Sequence, residues 1–136
     1  MQLSLFSQNL VSDGSFEEYK RCPSSITSSI RKFPLLNWYI PTHGTSDYFN
    51  KCCRHDGCTV PRNAYGTQEP RTGEGYVGIL GKGNWFEYVS SELKHSLKKD
   101  REYYVEFWVS LAEDCKFSSR RIGLYFSTGK PTVSSG

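Results

Sequence analysis

Arg101-Glu-Tyr-Tyr-Val-Glu-Phe-Trp-Val-Ser-Leu-Ala112 decides the fold class. Tyr103, Val105, Phe107, Val109 and Leu111 fall at alternate positions, and Tyr104, Glu106, Trp108 and Ser110 fill the ones between. A period of two puts the two sets on opposite faces of a β-strand. The expectation is a long strand whose Tyr103–Leu111 stripe faces the core, with Ile122-Gly-Leu-Tyr-Phe-Ser127 as its neighbour. Trp108, on the other face, is expected to cover a second sheet face or meet a partner. Tyr76–Leu80 is bounded by Gly75 and Gly81, and Trp85–Ser90 follows the turn Gly81-Lys-Gly-Asn84, so these two runs read as a hairpin. Ser91–Leu97 fits either a helical turn or a strand end, and in both cases its leucines belong to the core.

The chain has 136 residues, enough for one domain with its own core. Aromatic residues reach 15%, with nine Tyr and eight Phe, a bias toward strands. The class is therefore all-β. The net charge of +3 comes from scattered residues, and the two short basic clusters, Lys98–Arg101 and Arg120-Arg121, read as solvated turns. A nucleic-acid partner is not expected, because phosphate binding needs a concentrated basic patch. No run approaches the roughly 18 apolar residues of a membrane-spanning helix.

Five cysteines, Cys22, Cys52, Cys53, Cys58 and Cys115, leave at least one outside intramolecular pairs. In extended chain, adjacent Cys52 and Cys53 point in opposite directions, which favours two different partners. Cys53 and Cys58 are placed to close a small loop around Arg54–Gly57. A zinc site built from Cys52, Cys53, His55 and Cys58 matches no standard ligand spacing. Catalytic signals are as weak. There is no Gly-x-Ser-x-Gly elbow around His43, His55, His95 or Asp47, and Glu69 and Glu74 come with no evidence of a cleft. The chain is read as a non-enzyme.

From Cys22 to Arg71 the composition shifts to Pro, Ser, Thr, Asn and Gly with isolated aromatics, a long connection of the kind that is usually functional or tied by disulfides. Sugars stack their apolar faces on aromatic rings and need short polar groups for their hydroxyls. Trp38, Tyr48, Asn50, Tyr65 and Arg71 combine both and are the candidate ligand-binding residues. The competing reading is that a Trp in so aromatic a β-protein is core, and Trp38 is expected to lie under the long connection.

Gln8-Asn-Leu-Val-Ser-Asp-Gly-Ser-Phe-Glu-Glu-Tyr19, Thr42–Asn50, Pro70–Ile79 and Val109–Ala112 followed by Ile122–Ser127 occur here in the order found in one family. The chain resembles the galactose-binding-like jelly-roll domain at the N-terminus of OmpA-type outer-membrane proteins of Gram-negative bacteria, a relative of the carbohydrate-binding modules. The resemblance implies a β-sandwich over residues 8–128. Leu3-Ser-Leu-Phe6 within 1–7 looks like the tail of a signal peptide, the alternative being a native start, and Gly129–Gly136 reads as a loop or linker. The resemblance further implies export to the periplasm, outer membrane or cell surface, and a Cys22–Cys52 disulfide. It also implies a structural calcium at Glu17 of the Phe16-Glu17 pair, with Asp13 as a nearby oxygen donor. The aspartate that completes the family's calcium set from the last strand has no counterpart in this sequence.

About six strands are recognisable where a jelly roll has about eight, so the sandwich is expected to be incomplete in this chain. The resulting expectation is a non-catalytic binding or structural module of the bacterial envelope, with a glycan or a protein as partner. The alternative is a structural subunit of an envelope or virion assembly, its sandwich completed by strand complementation from another segment or chain.

Overall fold

A computed structural model describes residues 8–116, 118 and 122–131. The leader-like segment 1–7, the Arg120-Arg121 cluster and residues 132–136 of the linker lie outside them. The described chain is all-β. Its strands are β1 (Trp38–Tyr39), β2 (Asp47–Asn50), β3 (Arg62–Asn63), β4 (Gly66–Thr67), β5 (Gly75–Gly78), β6 (Gly81–Lys82), β7 (Trp85–Phe86) and β8 (Ser90–Ser91). The one helical piece is a single 3-10 turn, Ile30–Lys32. All pairings are antiparallel and form four two-stranded ladders: β1 with β8, β2 with β5, β3 with β4, and β6 with β7.

The longest ladder sets Asp47, Tyr48, Phe49 and Asn50 against Gly78, Val77, Tyr76 and Gly75. All four β2 residues are buried, so this strand is covered on both faces. Tyr48 joins Phe33, Leu35 and Ile40 in one cluster, supported by Phe16, Tyr19, Trp38, Val77 and Val89. Phe49 points the other way, to Cys53, Cys58 and Val60, supported by Cys22 and Tyr76. The glycines opposite make room for these rings. A Cβ at Gly75 would lie 2.7 Å from the Tyr48 hydroxyl, and one at Gly78 would lie 2.7 Å from the Phe49 ring.

Two disulfides fasten this centre. Cys22–Cys52 joins residues 30 apart in sequence with a Cα–Cα distance of 5.9 Å, and Cys53–Cys58 closes the short loop. The vicinal cysteines do take different partners. With all four thiols oxidised, the cluster around His55 offers no thiolate to zinc.

The hairpin forms, but between β6 and β7, turning at Gly83-Asn84; β5 pairs with β2 instead. Leu93 and Leu97 are half-buried, and Leu93 bridges to Val11. The main correction concerns 101–112. Among the described residues no ladder joins this segment to Ile122–Ser127 or to anything else, and Phe107 is 51% exposed. The expected core stripe is therefore at the surface. Alternation records that one face suits burial, but burial needs a second surface, and none of the described segments supplies it. The buried apolar residues, Phe33 to Val60, lie instead within the stretch Cys22–Arg71 that composition marks as a connection.

Candidate functional site

Two places gather the residues singled out in the sequence. The first is the turn Asp13–Glu18. Asp13 and Phe16 have left-handed backbone, φ 49° and 63°. An aspartate suits this conformation because its carboxylate can accept nearby amides. Its Oδ1 accepts the Glu17 N–H at 2.7 Å and its Oδ2 the Glu18 N–H at 3.0 Å. The carbonyls of the turn hold the core: Asp13 O accepts Trp38 Nε1–H at 2.9 Å, and Phe16 O accepts the Tyr48 hydroxyl at 2.7 Å.

Glu17 reaches across the chain. Its Oε1 accepts the N–H groups of Glu74 and Gly75 at 2.9 and 3.0 Å, capping the start of β5. Gly73, at φ 69°, is required here, since a Cβ would collide with the Glu17 carboxylate. Asp13 and Glu17 are the expected calcium ligands, and their oxygens meet amide hydrogens. No group of three or more His, Cys, Asp or Glu side chains suited to a metal is gathered among the described residues. Calcium takes six to eight oxygens, so the turn in this arrangement does not fit the ion.

The candidate ligand-binding residues separate into core and surface. Tyr48 and Asn50 are 1% and 0% exposed, which corrects their reading as ligand contacts. Asn50 Nδ2 donates to the Tyr48 hydroxyl at 2.8 Å, and Asn50 Oδ1 accepts the Cys52 N–H at 2.9 Å. Burial pushes the Tyr48 phenol well above its ordinary range. Trp38 is half-buried with its ring centroid 4.8 Å from that of Phe16, so it is a packing residue, as its competing reading has it. Tyr65 is 37% exposed and lies edge-on to Phe49. Burial, with the Asp47 carboxylate beside it, pushes its phenol up to about 12.

Arg71 defines the second place. Its guanidinium lies 4.2 Å from the centroid of the Trp108 ring, an arrangement that attracts a cation to the ring face. Ser110 Oγ donates to Gln68 Oε1 at 2.5 Å, Glu113 Oε2 accepts the Thr67 N–H at 3.1 Å, and Asp114 N–H reaches Tyr65 O at 3.3 Å. The segment 108–114 is thus moored to 65–71 by side chains and one backbone bond. Its own apolar groups stay open to solvent: Tyr104 is 85% exposed, Trp108 66% and Val109 63%. In the second ribbon, Tyr125 is 83% exposed.

Two buried acids, Asp47 and Glu87, complete the inventory. Asp47 accepts the Thr27 N–H at 2.5 Å, and burial raises its pKa, with the Glu87 charge adding to the effect. Glu87 accepts the N–H and hydroxyl of Thr45 and the N–H of Leu80. His43 is exposed, Asp47 is inside β2 and Arg71 is on Trp108, so the three do not converge. A hollow of about 510 Å³ is lined by Asp56, Gly57, Arg62, Asn63 and Ala64 and holds none of them. Glu69 is 4.0 Å from Lys51, an exposed ion pair. Among the described residues no helix is long and apolar enough to cross a membrane.

Comparison with known proteins returned nothing: no protein-family model, no curated protein and no solved structure matches the chain.

Proposed function

We propose that the chain is a non-catalytic binding and structural module of an exported bacterial envelope protein, a jelly-roll-like sandwich whose open ribbons, 101–112 and 122–127, pair with a further strand. The observation that carries this reading is the exposure of the regularly alternating segment 101–112 with no ladder partner among the described residues. Unpaired apolar strands recruit other strands. The chain exposes 11132 Å², against about 7,200 Å² for a compact monomer of its 15.6 kDa. The disulfides support an oxidising compartment. Amide hydrogen exchange on the isolated chain tests the reading. Residues 101–112 and 122–127 should either exchange fast in a monomer or gain protection only with self-association. A monodisperse monomer with both ribbons protected would refute it.

Arg71 on Trp108, flanked by Gln68 and Ser110, favours a glycan as ligand. The guanidinium lies over one face of the Trp108 ring; the ring is still 66% exposed, and its other face, with the Gln68 amide and Ser110 hydroxyl nearby in the chain, offers a sugar both stacking and hydrogen bonds. On this reading a glycan array gives binding that Trp108→Ala abolishes and Trp38→Phe leaves intact. Binding unchanged by Trp108→Ala would remove the site.

A further inference from the structure

The stretch Lys20–Pro34 carries four cations, Lys20, Arg21, Arg31 and Lys32, and five hydroxyl side chains, with no carboxylate. The structure closes it into a loop. An antiparallel bridge joins Tyr19 to Leu35, the Lys20 N–H donates to Pro34 O at 2.8 Å, and the Leu36 N–H donates to Glu18 O at 2.9 Å. The Cys22–Cys52 disulfide ties the first arm to the chain just after β2. Compact surface loops whose ends meet in this way are frequently functional.

The loop folds over a hollow of about 50 Å³. Pro23, Pro34 and Tyr48 line it and are buried, whereas Arg21 and Lys32 line it and are exposed, so an apolar floor carries its charges at the rim. Arg21 Nη2 donates to Lys32 O at 2.9 Å, which holds the guanidinium against the opposite arm. The 3-10 turn Ile30–Lys32 brings Lys32 Nζ to 3.5 Å from Ser28 Oγ. Ser24 and Ser25 add exposed hydroxyls to the lining. Among the described residues neither cation has a carboxylate within ion-pair distance. Asp47, which accepts the Thr27 N–H from this loop at 2.5 Å, is buried and does not line the hollow.

We infer that this hollow binds one tetrahedral oxyanion, a phosphate or a sulfate, either free or as the monoester end of a small molecule. Arg21 spends one of its donors on the Lys32 carbonyl and keeps the rest of its fork for a ligand, and Lys32 brings an ammonium to the same rim. Phosphate and sulfate oxygens accept charge-assisted bonds from such groups. The volume sets the size of the guest. One water-sized group needs about 10 to 15 Å³ of space of this kind, so the hollow has room for about three to five of them, which matches one tetrahedral oxyanion and leaves a sugar ring outside. None of the lining residues belongs to the ribbons 101–112 and 122–127 or to the Arg71–Trp108 pair, so the inference does not rest on the strand or glycan contacts proposed above.

Amide NMR of the full 136-residue chain, titrated at constant ionic strength with inorganic phosphate, sulfate and acetate against a chloride baseline, tests the site. Phosphate and sulfate should give saturable shifts centred on the amides of Ser24–Ser28 and Lys32, and acetate, with fewer oxygens, should bind more weakly than either. Arg21 also ties the loop, so the charge is removed at Lys32. Lys32→Gln should weaken phosphate binding about three- to tenfold, between the yield of an exposed ion pair and that of a charge-assisted hydrogen bond, while Lys20→Gln and Arg31→Gln, on cations of the same loop that do not line the hollow, should change it less than about twofold. Unchanged amide shifts around Tyr48 show that each variant folds. A sugar phosphate monoester separates the two sources: tighter binding than phosphate assigns the site to an ester's head group, equal or weaker binding assigns it to the free ion, and both support it. No saturable shift with phosphate or sulfate, or acetate bound as tightly as they are, would overturn the inference. Equal losses in Lys20→Gln, Arg31→Gln and Lys32→Gln would also overturn it, by reducing the effect to the net charge of the loop.

Discussion

Replacing Tyr48 with Phe removes one oxygen atom from the centre of the fold, and the structure sets what that atom is worth. The side chain is 1% exposed, and its hydroxyl both donates to Phe16 O at 2.7 Å and accepts from Asn50 Nδ2 at 2.8 Å. Water cannot take its place, so Tyr48→Phe leaves a carbonyl and one amide hydrogen of a fully buried Asn50 without partners. A net hydrogen bond contributes about 1 kcal/mol, and a buried group left unpaired costs about 1 to 3 kcal/mol. Two such groups put the loss at about 2 to 6 kcal/mol, against a total stability of about 5 to 15 kcal/mol for a domain. Tyr76→Phe is the control. Its hydroxyl also meets an amide, Asn63 Nδ2, at 2.5 Å, but on a half-buried residue where water can enter, so the expected cost is below about 1 kcal/mol. Urea unfolding followed by Trp fluorescence gives both values. A double-mutant cycle with Asn50→Ala should show coupling of about 1 to 2 kcal/mol, because the two side chains share a bond. Equal costs for Tyr48→Phe and Tyr76→Phe, or no coupling to Asn50, would refute the buried network as a source of stability.

Converting Cys22 and Cys52 together to Ser should cost about 3.6 kcal/mol on the loop-entropy relation for residues 30 apart; a loss under about 1 kcal/mol in the urea midpoint analysis would show that the linked segments are held by packing alone. Asp47 has its pKa raised above the ordinary 3.8 by burial, so its contribution to stability is fully present below that value and is lost as pH rises through the raised one. Stability relative to Asp47→Asn should therefore fall as pH rises above the ordinary 3.8, and a constant difference between the two proteins would count against the burial effect. Glu17 is a distant acceptor for the Glu74 and Gly75 amides, so Glu17→Gln, which keeps an acceptor oxygen, should cost less than Glu17→Ala by about 1 kcal/mol or more. Stability that depends on added calcium, with Gln as harmful as Ala, would instead make Glu17 a metal ligand.

The sequence by itself determined local chemistry. Neighbouring cysteines in extended chain face opposite ways, and Cys52 and Cys53 have separate partners. Gly83-Asn84 suits a tight turn, and a hairpin turns there. The strand β2 was not legible as a strand, because Asp47-Tyr-Phe-Asn50 is buried on both faces and therefore shows no alternation of polar and apolar residues. Alternation in 101–112 was legible and still did not place that segment in the core, since a pattern names the face to be covered and not what covers it. Only the tertiary structure decided that Tyr48 and Asn50 are interior, that Trp38 bonds to Asp13, and that Glu17 caps a strand 57 residues away. Contacts of that length depend on which surfaces come together when the chain collapses around Phe33, Leu35, Ile40 and Phe49. That arrangement is a property of the whole packing, in which each buried polar group must find a partner wherever the fold supplies one.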